Sequence, residues 1–558
     1  MPSRVRIWLD TIFLRFSGPT LRRLCRMEAA VVRCLPGEPK LTISFCLQGS
    51  HKHMLRDQDE PLGKVLARIS NGIAKNQSKA KKSKKNRGQE QPDEAAEPTV
   101  VKLFYDGEEV PETVLNAEAW QDGSVLQVGD VKYSVQRNAP TFTTAELPVS
   151  LLAGFPVCPK LEVEFGNVQD CEFTWFRENS SDQDSGWTQV GCERVYIPSN
   201  QDISFRLKLS CTPKDGSRGG LAKELVSVGA VEAGPGVCLF DNRHAFTAKV
   251  TDWPTVRVVS YNILADIYAQ TDLSKTVLYP YCELAGYNCD IICLQEVDKG
   301  VYVDSLTPAL DAFGLNGVFK VKEKQHEGLA TFYRRSKFRL LSSHDIMLSE
   351  ALSSDPMHAE LLEKVSANGA LKNKILQRST SLQVTFLEDL NKPGRKVCVA
   401  NTHLYWHPKG GNVRLVQMGV ALKHLSHVIS EVAPGAPLVF CGDFNSTPNA
   451  GVFQLLSEAV VPPQHADWSS SGPEESCSME LLSDIPPLLS ACGLPAYTNY
   501  VRGFQGCLDY IFIQPDCMQV EQVIPLPSLE EVTTYEALPS VAHPSDHIAL
   551  VCDLRWNP

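Results

Sequence analysis

Six apolar runs in the C-terminal half each end in residues able to handle a metal ion or a phosphate. They are TVRVVSYN (255–262), DIICLQEV (290–297), KVCVANTH (396–403), PLVFCGDFN (437–445), CLDYIFI (507–513) and HPSDHIALVCDL (543–554). Rigid strands commonly aim active-site groups from their ends, and so many polar strand ends in one region are hard to assign to core packing. Glu296, Asp443 and Asn445 offer hard oxygen ligands that suit Mg2+ and not a soft metal. His403, His547, Asn262 and Asn401 can hydrogen-bond a phosphoryl group or take part in proton transfer. Asp509 can orient an imidazole and favour its charged form. No G-x-S-x-G, P-loop, G-x-G-x-x-G or H-E-x-x-H pattern is present. The inventory implies metal-assisted attack of water on a phosphodiester.

The series SYNILAD (260–266), LQEV (294–297), NTHLYWHP (401–408), GDFNSTP (442–448), LDYIF (508–512) and SDHIAL (545–550) resembles the exonuclease–endonuclease–phosphatase superfamily. YNILAD, TVLYPYC and NTHLYWHP point within it to the carbon-catabolite-repressor-type deadenylase branch, and the arginine-rich start with a β-rich N-terminal half is similar to that branch's mitochondrial members. The resemblance implies an α+β chain, with a two-sheet α/β sandwich at the C-terminus preceded by β-rich domains. It implies Glu296 as the main Mg2+ ligand and Asp443 and Asn445 at a second metal position, with Mn2+ able to substitute. Asp546 would support the metal shell, and Asp443 would also activate water. His547, oriented by Asp509, would contact the scissile phosphate, while Asn262, Asn401 and His403 would hold its oxygens. Pro408 and Phe504 match the positions where relatives sandwich an adenine.

The implied activity is a Mg2+-dependent exoribonuclease that cuts 2′,5′-oligoadenylates and poly(A) tails of mitochondrial RNA to AMP from the 2′/3′ end. RNA is the implied partner, with no membrane span and no obligate protein partner. Two competing functions stay open: a phosphoesterase for a small molecule, and an inactive chain that serves only as an RNA-binding scaffold. Phe504 could instead be a buried packing residue. Trp406 lines the cleft or belongs to the core. His407, His424 and His427 lack motif support and read as surface or packing residues.

The elements that must position these groups occupy 255–558. Composition is that of an ordinary globular chain, with 43% hydrophobic and 21% charged residues. A net charge of −11 disfavours nucleic-acid binding through a broad basic field. The 18 cysteines lack zinc-ribbon spacing and read as free thiols of a reducing compartment. Residues 1–27 hold six arginines and one acid, which fits a mitochondrial transit peptide for the matrix, or else a basic amphipathic helix.

Residues 28–138 read as a small α+β domain, similar to a ubiquitin-like fold, with strands at 41–47, 100–110 and 123–135 and a helix after Pro61. A basic insertion at 75–98 reads as solvated and irregular, or as a loop contacting RNA. Residues 139–254 read as all-β, resembling an immunoglobulin-like domain, with strands at 171–176, 194–198 and 203–211. Only 27 residues separate Asn262 from the next catalytic strand, and they show no clean apolar stripe. The helix that relatives carry after Cys282 is therefore expected to be missing. Uncovering about 400 Å² of sheet would cost on the order of 10 kcal/mol.

Overall fold

The computed structural model describes residues 28–47, 50–85, 99–179, 186–234, 236–265, 279–322 and 326–557. The expected transit peptide (1–27) and the second part of the basic insertion (86–98) lie outside the described residues. The chain divides into two compact units. One comprises Met1–Thr141 with Glu164–Asn167 and Lys214–Gly220, the other Phe142–Val163, Val168–Pro213 and Leu221–Pro558.

In the first unit, Lys40–Leu47 is flanked by antiparallel Glu28–Arg33 and Ser50–Asp57, and Glu28–Arg33 runs parallel to Val131–Arg137. The helix Leu62–Lys85 buries Leu62, Val65, Leu66 and Ile69 at i, i+3, i+4, i+7 spacing. It continues through Lys85, so the start of the basic segment is helical. Lys, Ala and Gln are good helix formers. Residues 123–135 form two strands, Val125–Val128 and Val131–Arg137, turned at Gly129. Asp106-Gly107 makes a turn inside 100–110, with both residues at positive φ.

In the second unit, a four-stranded sheet of Trp187–Gly191, Glu172–Glu178, Leu207–Thr212 and Lys223–Val226 encloses Trp175. Residues 194–198 contribute only an isolated bridge, and the third strand begins at Leu207 and not at Ile203. Asp202 is the physical reason. Its carboxylate accepts from Ser199 N and Tyr196 Oη, and the Ser199 hydroxyl accepts from Gln201 N, which closes a helical turn there.

The C-terminal part is a sandwich of two sheets. The first orders Leu315–Val321, Glu327–Arg334, Ile291–Asp298, Thr255–Asn262, Leu550–Trp556 and Met518–Val523; the second orders Phe338–Ser343, Ser381–Asp389, Lys396–His403, Leu438–Asp443, Asp509–Ile513 and Leu489–Ser490. Period-two alternation explains the site. Val256, Val258, Ile291, Cys293, Val397, Val399, Val439, Cys441, Ile511 and Ile513 meet in the dry layer between the sheets. Steps of two residues along the same face reach Asn262, Gln295, Asn401, His403, Asp443 and Asp509. The catalytic candidates thus continue the core layer to its polar end.

The outer face of the second sheet is covered by the helix Gly411–Val432 and by Leu348–Ser354, Gly369–Leu376 and Gly451–Glu458. The outer face of the first sheet is covered too. A helix does follow the first catalytic strand, Tyr279–Gly286, and it buries Tyr281, Cys282 and Leu284 beside Val259, Tyr261 and Ile292. Leu306, Ala309, Leu310, Leu152 and Phe155 complete that layer. The expected uncovering of that face is corrected: the two-turn helix Tyr279–Gly286, of which only 283–286 lies beyond Cys282, shares the face with neighbouring segments. Among the described residues no helix is long and apolar enough to cross a membrane, and all cysteines are free, only Cys192 being exposed.

Candidate active site

Asn262 sits at the centre of the polar end. Its Nδ2 donates to Glu296 Oε1 and to Asp443 Oδ2, each at 3.0 Å. Its own carbonyl accepts from Ser545 Oγ at 2.6 Å, and that hydroxyl also accepts from His547 N at 3.0 Å. One asparagine therefore ties its own motif to three of the other five.

Glu296 reaches this point through an irregularity. The pairing with Glu327–Arg334 shifts between Leu294 and Val297, and Glu296 has φ 56°. A regular strand sends consecutive side chains to opposite faces, whereas a bulge lets Gln295 and Glu296 both turn inward. A left-handed glutamate is uncommon, and such backbone persists where the surroundings hold it. Here Ala265 N holds it, donating to Glu296 Oε2 at 3.1 Å. Asn445 is also left-handed, at φ 47°, a conformation asparagine tolerates. Its Nδ2 donates to Leu404 O at 3.1 Å, which leaves the amide oxygen for the site.

Two histidines flank Asp443 Oδ2, with His403 Nε2 and His547 Nε2 each 3.6 Å away. His403 Nε2 is also 4.0 Å from Glu296 Oε1. His547 Nδ1 is 2.8 Å from Asp509 Oδ2, and His547 Nε2 is 4.0 Å from Asp546 Oδ1. The buried oxygens Asp509 Oδ1 and Asp546 Oδ1 have no hydrogen-bond partner.

Burial dominates the electrostatics. It pushes Glu296 up, against the hydrogen bonds from Asn262 and Ala265. Burial and the nearby Asp509 charge push Asp443 up to about 7. Burial opposes a charge on His547, but Asp509, Asp443 and Asp546 outweigh it and hold the imidazolium well above the ordinary histidine range. His403 goes the other way: burial, then Lys322, then His547 keep it neutral. The two histidines thus hold different protonation states, the arrangement that assigns separate proton-handling roles.

The site brings together Glu296, Asp443, Asn445, Asp509, Asp546, His403, His547 and Asn262. It leaves Asn401 apart. Asn401 is fully buried; its Nδ2 donates to Leu294 O at 3.0 Å and Ala330 O at 3.2 Å, and its Oδ1 accepts from Gln295 Nε2 at 2.8 Å. It bolts one sheet to the other, and both amide hydrogens expected for phosphate are committed. Asn262 likewise braces carboxylates in this structure. Pro408 is exposed, and Phe504 is 45% exposed on the hairpin Asn499–Val501/Phe504–Gly506, which excludes the packing alternative. Trp406 is 67% exposed, so it is not core. His424 is buried and His427 exposed, both on the helix Gly411–Val432, and His424 Nε2 bonds to His344 O.

Sequence reasoning missed Lys322, Gln295, Ser545 and Thr498. Lys322 is buried, donates to Glu327 Oε1 at 2.5 Å, and its Nζ is 3.5 Å from His403 Nδ1. An ammonium only donates, so Lys322 favours the His403 tautomer that accepts at Nδ1 and carries its proton at Nε2, aimed at the acids. No motif marks Lys322. Thr498 Oγ1 donates to Asp509 Oδ2 at 2.6 Å, and only its contact with the motif strand reveals it.

The acids and imidazoles fit a divalent cation. The donors are hard oxygens, orphaned carboxylate oxygens remain, and Asp443, Asp509 and His547 offer ligand atoms all within 4.8 Å of one another. Because His547 Nδ1 is already bonded to Asp509, the oxygens of Glu296, Asp443, Asn445 and Asp546 are the better donor set.

Comparison with known proteins agrees. Residues 259–547 match the endonuclease/exonuclease/phosphatase family, and residues 139–232 match the 2′,5′-phosphodiesterase 12-like N-terminal domain. The chain is 56% identical to 2′,5′-phosphodiesterase 12 of Mus musculus over 578 residues, covering 95% of each chain. It is 56% identical to the Homo sapiens protein of the same name over 95% of this chain and 94% of that one. Carbon catabolite repressor protein 4 homolog 1 of Arabidopsis thaliana is 30% identical over 66% of this chain and 71% of its own. The chain belongs to the endonuclease/exonuclease/phosphatase family, in the group of the 2′,5′-phosphodiesterase 12 proteins.

Proposed function

We propose that the chain is a Mg2+-dependent exoribonuclease of the mitochondrial matrix that hydrolyses 2′,5′-linked oligoadenylate and 3′,5′-linked poly(A) to AMP. A single arrangement carries this reading: Glu296 and Asp443 joined by one asparagine amide, with a charged His547 and a neutral His403 on either side. The 2′,5′-phosphodiesterase 12 relatives support the linkage, the repressor-type relative supports RNA, and the arginine-rich residues 1–27 support the compartment.

Glu296, Asp443, Asn445 and Asp546 would hold Mg2+, which when bound supplies charge to stabilise the phosphoryl oxygens and to acidify water. Asp443 accepts the proton of the attacking water. The imidazolium of His547 donates from Nε2 to a phosphoryl oxygen as negative charge grows there. His403, proton on Nε2, donates to a second oxygen. The phosphorus–oxygen bond to the neighbouring ribose breaks, the ribose oxygen takes up a proton from solvent water to become the new terminal hydroxyl, and AMP leaves. Phe504 and Pro408 present an exposed ring and an exposed imide to the terminal adenine.

The test is incubation of the full chain with triadenylates of both linkages, with Mg2+ or with EDTA. AMP is expected from both linkages with Mg2+ and from neither with EDTA. No AMP from either with Mg2+ overturns the proposal.

A further inference from the structure

The strands that deliver His403, Asp443 and Asp509 begin or end at the opposite pole of the sandwich, on the order of 20 Å away at about 3.3 Å per residue. There a concavity of about 690 Å³ is lined by Lys392, Arg395, Lys396, Trp556 and Asn557, with the loop Ala433–Pro437 as its floor. Asp516 is the one acid in its lining.

Arg395 is the central group. Its guanidinium carbon lies 5.0 Å from the ring of Trp556 and 5.8 Å from that of Trp253. Trp253 is itself fixed by a 3.1 Å bond from Nε1 to Asp389 Oδ2. Yet among the described residues the Arg395 side chain makes no hydrogen bond and no ion pair, and the same holds for the ammonium groups of Lys392 and Lys396. Arg395 Nη1 and Trp556 Nε1 are both buried donors without an acceptor. A buried donor left unmade costs about 1–3 kcal/mol, and two in one lining, one of them on Arg395, beside the ammonium groups of Lys392 and Lys396 on a chain of net charge −11, ask for an anion.

We propose that this pole is a second anion site, distinct from the catalytic cleft, which binds a phosphate group through Arg395 with Lys392 and Lys396. A guanidinium held against two indole rings is positioned for the bidentate grip that oxyanions accept. The group could arrive as inorganic phosphate or on a nucleoside 5′-monophosphate.

Isothermal titration of the full chain in EDTA, with inorganic phosphate and with AMP, tests this. Both ligands bound with similar affinity identifies the phosphate group alone as the ligand; AMP bound much more tightly identifies the nucleotide. Arg395→Gln is expected to weaken binding at least tenfold. Lys392→Gln/Lys396→Gln, at an exposed and a half-buried position whose melting temperature is measured alongside, is expected to weaken it severalfold. Binding should persist in Glu296→Ala. The proposal is overturned if neither ligand binds, if the lysine and arginine variants bind as the parent does, or if Glu296→Ala abolishes the binding.

Discussion

His547 Nδ1 lies 2.8 Å from Asp509 Oδ2, while the other oxygen of that carboxylate is buried without a partner. The pair fixes which imidazole nitrogen faces the phosphate and holds the ring charged. Asp509→Asn keeps the shape and removes the charge, so His547 should lose its proton in the neutral range. A drop of about 10²–10⁴-fold in kcat/KM on triadenylate is expected, and an activity near that of the parent would remove Asp509 from the mechanism. Thr498→Val removes only one hydrogen bond to Asp509, and its loss should be the smaller.

Lys322 acts through His403. Lys322→Met strips the buried Glu327 of its ion pair and should cost about 3–5 kcal/mol of stability. The double variant Lys322→Met/Glu327→Gln removes both charges and should recover most of the melting temperature. If Lys322 serves only the fold, activity should recover along with it. The expected outcome is otherwise: kcat/KM stays at least tenfold low, because the cation that keeps the proton of His403 off Nδ1 is gone.

The acid cluster makes a prediction about pH. Asp443 is raised from an ordinary carboxylate value to about 7 by burial and Asp509. A group raised in the folded state stabilises it below the unfolded value, near 4, and that contribution is lost as pH rises through about 7. In EDTA, the stability of the parent relative to Asp443→Asn should therefore fall between pH 4.5 and 7.5, values chosen to bracket that rise. Adding Mg2+ at the upper pH should restore the melting temperature of the parent and not of the variant. A pH-independent difference between the two proteins would mean that Asp443 titrates normally.

Much of this site was legible because strands alternate. An apolar run that ends in Asn, Asp or His on its core-facing parity places that residue at the rim of the dry layer, and Asn262, His403, Asp443 and Asp509 all follow the rule. Parity alone cannot distinguish a residue that reaches the cleft from one that stops short. Asn401 and His403 share a face, yet Asn401 is two residues deeper and spends its amide on carbonyls of the other sheet. Glu296 breaks the parity through a bulge, which only the LQEV resemblance could supply. Lys322 meets His403 across 81 residues of sequence, and nothing local marks such a pairing. The covering helix was misjudged because a two-turn element leaves too few positions for a periodicity to show, and its partners come from segments distant in the chain.

The last prediction concerns the base. Phe504 lies on a hairpin that is tied to the catalytic strands: Tyr500 N donates to Asp546 O, and Ile548 N to Thr498 O. Its ring crosses Gly506, where an added Cβ would come within 2.9 Å of Phe504 Cζ. The glycine therefore sets how the ring lies. If adenine stacks on that ring, Phe504→Ala should lower kcat/KM on oligoadenylate by about 1–3 kcal/mol, roughly 5- to 150-fold. At 45% exposure the ring supports little of the core, so the melting temperature should hardly move. Gly506→Ala should reproduce part of the kinetic loss by tilting the ring while leaving its surface in place. Neither change touches an oxygen ligand, so the Mg2+ concentration for half-maximal activity should stay constant. Phe504→Ala turning over oligoadenylate at the parent rate would show that the ring does not meet the base, and Phe504→Tyr, which keeps the stacking face, should retain nearly full activity if it does.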